Sequence, residues 1–213
     1  MYSVINKLPK VEQHIHLLGS IRPETLMWVA DNSGLENRWD SVDEVKEFFK
    51  FRDFPHFLDV FTTCITYVTK ESMFERLAYE TFEDQASQNV LHSEIIFSAP
   101  QRVKRANMDF GLIMKAYNRG IRRAERDFNV TCSTRIDLIR ARAPAQFKAV
   151  YEKARGMGLR LAARAGEAAG PESVIDAVNV LGVERIGHGF TAKDSPKALE
   201  LLKKRGITVE TSP

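Results

Sequence analysis

Cysteine is scarce in this sequence: Cys64 and Cys132 are the two, and neither belongs to a C-x-x-C pair. That spacing excludes a zinc ribbon and a thioredoxin-like redox motif, and so few cysteines point to a reducing compartment. Long apolar runs are missing as well. No stretch approaches the roughly 18–20 residues that a membrane-spanning helix needs, and Met1 to Pro9 lacks the apolar segment of a secretory leader. The expectation is a cytoplasmic protein with no membrane partner. Nor is there an excess of charge: 31 Lys and Arg stand against 28 Asp and Glu, a formal net charge of +3. Such balance gives no electrostatic footprint for nucleic acid, and the basic residues lack the interleaved aromatics of a base-stacking surface. There is no internal repeat, low-complexity tract or Gly/Ser linker, so residues 1–213 read as a single domain. A chain of this length with 44% hydrophobic residues can bury a sizeable core.

The chain does contain strand-like and helix-like segments in alternation. Val11 to Leu18 reads as extended, closed by Gly19 and Ser20. Pro23 suits the first turn of a helix through Glu24 to Ala30, and Ser41 with Glu44 forms a capping box ahead of Val45. Helical spacing of Phe, Leu, Val and Tyr covers about Pro55 to Gln88. Val90 to Phe97 is apolar and β-branched, hence a strand, ended by Ala99-Pro100. Met108 to Phe128 follows as a long amphipathic helix, and Val130 to Ile139 as an extended segment. The second half predicts helices over Pro144 to Met157, Pro171 to about Leu181, and Ser195 to Lys204. Its predicted strands are Leu159 to Ala163, Arg185 to Gly187, and Ile207 to Thr211. Strands alternating with helices imply a parallel sheet with helices outside it. Both a closed (β/α)₈ barrel and an open doubly wound sheet fit, but no G-x-G-x-x-G turn follows the first strand. Fewer than eight strands can be counted, and a full barrel typically takes about 250 residues.

Three short elements could carry chemistry. His14 and His16 lie two apart, so on a strand both rings point to one face, a spacing that can chelate a metal. An H-x-H pair also arises by chance. Glu167 stands just past a predicted strand, where a carboxylate serves acid–base work or simply favours the dipole of the next helix. His188 lies between Gly187 and Gly189, open to backbone approach from both sides, and could orient a water.

Together these elements resemble the adenosine deaminase family. The stretch from Leu8 to Ser20, with Pro23-Glu24-Thr25 after it, is similar to the family's opening. Phe51 to Phe57 looks like its segment before a long helical insertion. Ala165-Gly166-Glu167, with Gly170-Pro171-Glu172-Ser173, looks like the His-Ala-Gly-Glu motif and its helix. Glu184 to Gly189 resembles Glu-Arg-Ile-Gly-His-Gly, and Thr211-Ser212-Pro213 falls where the family has Pro-Thr-Ser. The resemblance spans nearly the whole chain in the family's order. It implies a TIM barrel of the metallo-dependent hydrolase type, here incomplete, and hydrolytic removal of a purine amino group as ammonia. It implies Zn2+ as cofactor, with His14 and His16 as ligands, and a purine or purine nucleoside as the small-molecule partner. Glu167 would protonate the purine ring and His188 would hold the attacking water, with Gly166 and Arg140 at substrate-side positions. The H-x-E and P-C-x-x-C pattern of cytidine-type zinc deaminases is not present.

The chain departs from the family at defined places. Arg164 stands where the third zinc ligand, a histidine, belongs, and a guanidinium cannot ligate a metal. The fourth ligand belongs to a motif that would fall past Pro213. Leu18 replaces a ribose-contacting aspartate, and Arg140 replaces a glycine that approaches the purine. Thr131 to Ile136 bridges an interval where the family carries a strand, a helix and a further strand, so one βα unit is missing or fused. The alternative reading is a catalytically inactive, remodelled barrel that binds an anion or nucleotide through Arg140, Arg142 and Arg164. An incomplete barrel also leaves strand edges unpaired, which predicts a homo-oligomer.

Overall fold

The computed structural model describes residues 2–97, 107–136 and 144–211. It divides into two compact units, Met1–Ile136 and Asp137–Pro213.

In the first unit, β1 (Lys10–His16), β2 (Val90–Phe97) and β3 (Thr131–Ile136) form a parallel sheet in the order β1-β2-β3. Its helices are α1 (Tyr2–Lys7), α2 (Pro23–Asn32), α3 (Val42–Phe48), α4 (Phe54–Thr66), α5 (Met73–Ser87) and α6 (Phe110–Phe128). Local chemistry sets most helix starts. The Ser41 hydroxyl accepts from the Glu44 N–H, while the Glu44 carboxylate accepts from the Asp40 N–H, so the capping box closes one residue early. Asp53 and Asp109 cap α4 and α6 by accepting the N–H of His56 and Leu112. Asn129 ends α6 in the left-handed region at φ 53°.

The predicted first strand stops two residues short of Leu18. Leu17 and Leu18 are both buried, which a strand cannot achieve on one face, so the chain turns into a short 3-10 segment, Leu17–Gly19. The helix-facing side of the sheet carries Ile95 and Phe97, and Phe97 packs on Tyr117 and Phe74 at ring distances of 4.4 and 5.7 Å. Burying such a ring contributes about 1.5–3 kcal/mol. α5 and α6 cross at Gly120, where a Cβ would lie 2.3 Å from the Glu75 carbonyl oxygen.

Cys64 belongs to this core, and burial pushes its thiol up to about 12 from the usual 9.0. The folded state therefore holds the thiol proton more tightly than the unfolded chain does. This stabilisation is whole below about pH 9 and is lost as pH rises toward about 12. Urea unfolding midpoints should fall between pH 8.5 and 10.5, and Cys64→Ala should flatten that dependence. A slope identical in the variant would assign the effect to other groups.

In the second unit, β4 (Ala162–Ala165), β5 (Arg185–His188) and β6 (Thr208–Glu210) form a parallel sheet in the order β4-β5-β6. Its helices are α7 (Lys148–Gly156), α8 (Glu172–Asn179) and α9 (Pro196–Arg205). The predicted helix from Pro144 opens instead as a 3-10 segment, Pro144–Phe147. The predicted strand Leu159 to Ala163 also shifts. Pairing begins where β5 supplies a partner, with Ala162 opposite Arg185, so β4 runs to Ala165 and includes Arg164. Ala163, Ala165 and Ile186 face the helices in an apolar core with Val174, Ala177 and Ala198. Among the described residues no helix is long and apolar enough to cross a membrane.

Candidate functional site

The sequence-predicted residues fall in two groups, one in each unit.

In the first unit, His14 and His16 are half-buried near the C-terminal end of β1, with ring centroids 5.5 Å apart and planes inclined by 57°. The alternation of the strand explains their shared face, since Ile15 between them packs on the core. The Glu12 carboxylate accepts from the His14 N–H at 2.9 Å, and the Ser20 hydroxyl donates to the His16 carbonyl at 2.9 Å, fixing the backbone on both sides. Parallel register places His16, Ile96 and Arg135 in one row across β1, β2 and β3. Arg135 donates to the Gln13 carbonyl at 3.3 Å. Its place beside the histidine row depends on strand pairing, and no local motif marks it. Leu18, at a ribose-side position by resemblance, is 5% exposed within the core and presents no polar group.

A second feature of this unit lies in the segment from Phe51 to Phe61. Phe51, Phe54, Phe57 and Phe61 recur at helical spacing. Phe57 stacks between Phe54 and Phe61 at 6.2 Å each, and Phe51 meets its edge at 5.2 Å. The first three rings are exposed, while Phe61 packs on the core. Gly19 lies between the two features: a Cβ there would be 3.5 Å from His16 Cβ and 3.9 Å from Phe61 Cε2. An exposed aromatic ladder leading to a histidine pair is an apolar surface with a polar end.

In the second unit, one face of the sheet is charged. Register sets Arg164 beside Gly187, and Gly187 beside Glu210. Glu210 is nearly buried and accepts a salt bridge from Arg185 at 3.1 Å. Past β4 the chain turns at Gly166 (φ +67°), where a side chain would meet Val174, Thr191 and Gly189. The turn is held by the Gly166 N–H donating to Ser173 Oγ and the Thr191 N–H donating to the Gly166 carbonyl. It aims Glu167 back over β4. Glu167 Oε2 then lies 2.8 Å from Arg164 Nη2 and 3.5 Å from His188 Nε2. His188 is buried as the last residue of β5, not beyond it, at φ +74°. A left-handed histidine costs about 1–3 kcal/mol and persists where the surroundings demand it, which favours a functional reading of this position. Arg140 and Arg142 lie outside the described residues.

Whether these residues suit zinc follows from the donors. Catalytic zinc normally takes three protein ligands. Among the described residues no group of three His, Cys, Asp or Glu side chains could hold a metal, and the third-ligand position carries a guanidinium already paired with Glu167. The ligand set among the described residues does not fit the metal.

Comparison with known proteins agrees with the motif order. The adenosine deaminase family model matches residues 9–144 and 137–213, and so runs through both units. The chain is 29% identical to an adenine deaminase of Rhodospirillum rubrum over 240 residues, covering 98% of this chain and 72% of that protein. It is 28% identical to an adenosine deaminase of Vibrio vulnificus, with 97% and 73% covered. Among solved structures, an adenine deaminase from Arthrobacter aurescens superposes with TM-score 0.82 at 23% identity, covering 95% of this chain and 71% of that one. An amidohydrolase from Burkholderia ambifaria with bound Zn superposes with TM-score 0.84 at 28% identity, covering 98% and 66%. The six described strands, each parallel to its neighbours, are an incomplete form of the TIM barrel of these amidohydrolases. The Rhodospirillum alignment is longer than this 213-residue chain, so the relative carries residues without a counterpart here. The two matched stretches overlap at residues 137–144.

Proposed function

This chain belongs to the adenosine deaminase family, and from that premise we propose that it acts on an aminopurine of the adenine or adenosine class by hydrolytic deamination. The observation that carries this reading is the Glu167–His188 pair, a carboxylate and an imidazole 3.5 Å apart at the ends of adjacent strands. Strand ends of this polarity are where TIM-barrel enzymes place their chemistry. In the proposed reaction His188 orients a water toward the ring carbon bearing the amino group. Glu167 delivers a proton to the adjacent ring nitrogen as the water oxygen bonds to the carbon, takes a proton from that water and passes it to the amine. The C–N bond then breaks, ammonia departs with the electron pair, and the remaining O–H proton returns to Glu167 as the carbon keeps the oxygen as a carbonyl. Two free thiols fit a cytosolic setting.

A second reading, purine binding without turnover, is favoured by one observation: Arg164 sits in a ligand position and engages the carboxylate that the chemistry needs. Ammonia release from adenine, adenosine and AMP, measured beside calorimetric binding of each, separates the two. Release from any of them supports deamination, and binding without release supports the second reading. Neither release nor binding would exclude both.

A further inference from the structure

We propose that Arg164 is a positioning residue that latches Glu167, holding this end of the site in a charge-paired arrangement that does not depend on a metal. The inference deepens the proposed function and rests on it. Its basis is one shared atom: Glu167 Oε2 receives the Arg164 guanidinium at 2.8 Å and faces His188 Nε2 at 3.5 Å. The shorter, charge-assisted contact is the stronger of the two. A guanidinium donates hydrogen bonds but neither gives up a proton nor accepts one, so it occupies the oxygen without entering proton transfer.

The latch is built into the backbone. Gly166 must be glycine, both for its φ of +67° and because a Cβ would lie 2.8 Å from Val174 Cγ2. That turn brings Glu167, three residues on, back over Arg164. Ser173 and Thr191 pin it through the Gly166 N–H and carbonyl. Gly187, in register with Arg164, puts no side chain in its way. Arg164 and Glu167 side chains are each about one-third exposed, so replacing either leaves the apolar core intact.

The experiment reads geometry and metal, not turnover, and so can fail independently of the deamination assay. Histidine ring resonances should be recorded by NMR for the full chain and for Arg164→Gln and Arg164→Lys. The His188 signal is expected to move in Arg164→Gln and to return toward its original position in Arg164→Lys. An unmoved signal in Arg164→Gln overturns the latch. Zinc alone is then titrated while the unfolding midpoint is followed. The unaltered chain is expected to show no shift, and Arg164→His to bind zinc at least about tenfold more tightly. Equal or tighter binding by the unaltered chain overturns the metal-independent arrangement. Should Arg164→His fail to fold, the zinc response of the unaltered chain still decides the point.

Discussion

Gly120→Ala is expected to lower the unfolding free energy of the first unit by about 2 kcal/mol net. The added methyl would stand 2.3 Å from the Glu75 carbonyl oxygen and 2.9 Å from Ala78 Cβ, where α5 and α6 cross. The first of these is backbone and cannot rotate aside, so the helices must separate. Overpacking of a tight core costs about 1–3 kcal/mol, and forced backbone movement belongs at the upper end. Against it, exchanging glycine for alanine inside a helix contributes about 1 kcal/mol. The clash outweighs the propensity because separating α5 from α6 also loosens Phe74, Phe97 and Tyr117. Urea unfolding followed by far-ultraviolet circular dichroism measures the change. An equal or higher midpoint would mean that the crossing has slack.

Glu167→Gln is expected to reduce ammonia release by about 10²–10⁴-fold, the range for removing a general acid–base group. Glutamine keeps the length and hydrogen-bonding reach of glutamate but cannot shuttle a proton. The salt bridge to Arg164 becomes at best a hydrogen bond from the guanidinium to a neutral amide oxygen, and both ends are partly exposed, so stability should change little. Purine affinity measured by calorimetry should stay within a few-fold of the original. Loss of affinity together with rate would assign Glu167 to binding instead of proton transfer. An unchanged rate would remove it from the chemistry, and the deamination reading would lose its carrying observation.

The sequence was most informative where short-range rules act. The serine cap, the proline in a first turn and the H-x-H spacing all depend on neighbours within four residues, and Ser41, Pro23 and His14-Ile15-His16 behave as those rules require. Errors gathered at strand ends. β4 was expected three residues too early because a ladder begins where a partner strand stands, and that partner, β5, lies more than twenty residues along the chain. The strand expected over Arg185 to Gly187 stops one residue early, because pairing with Ala165 carries β5 through His188.

By itself the sequence determined the family, the parallel α/β plan and the identity of the chemical groups: two imidazoles on β1, a carboxylate after β4, an imidazole at the end of β5 and an arginine where a metal ligand belongs. Those are properties of residue type and order, and order survives without coordinates. Only tertiary structure decided what the groups do to one another. It gave Glu167 Oε2 to Arg164 ahead of His188, set Arg135 in the row of His16, and buried Leu18 in the core. The reason is physical: register, the φ of Gly166 and the packing of helices fix distances to tenths of an ångström, and residue spacing along a chain cannot encode them.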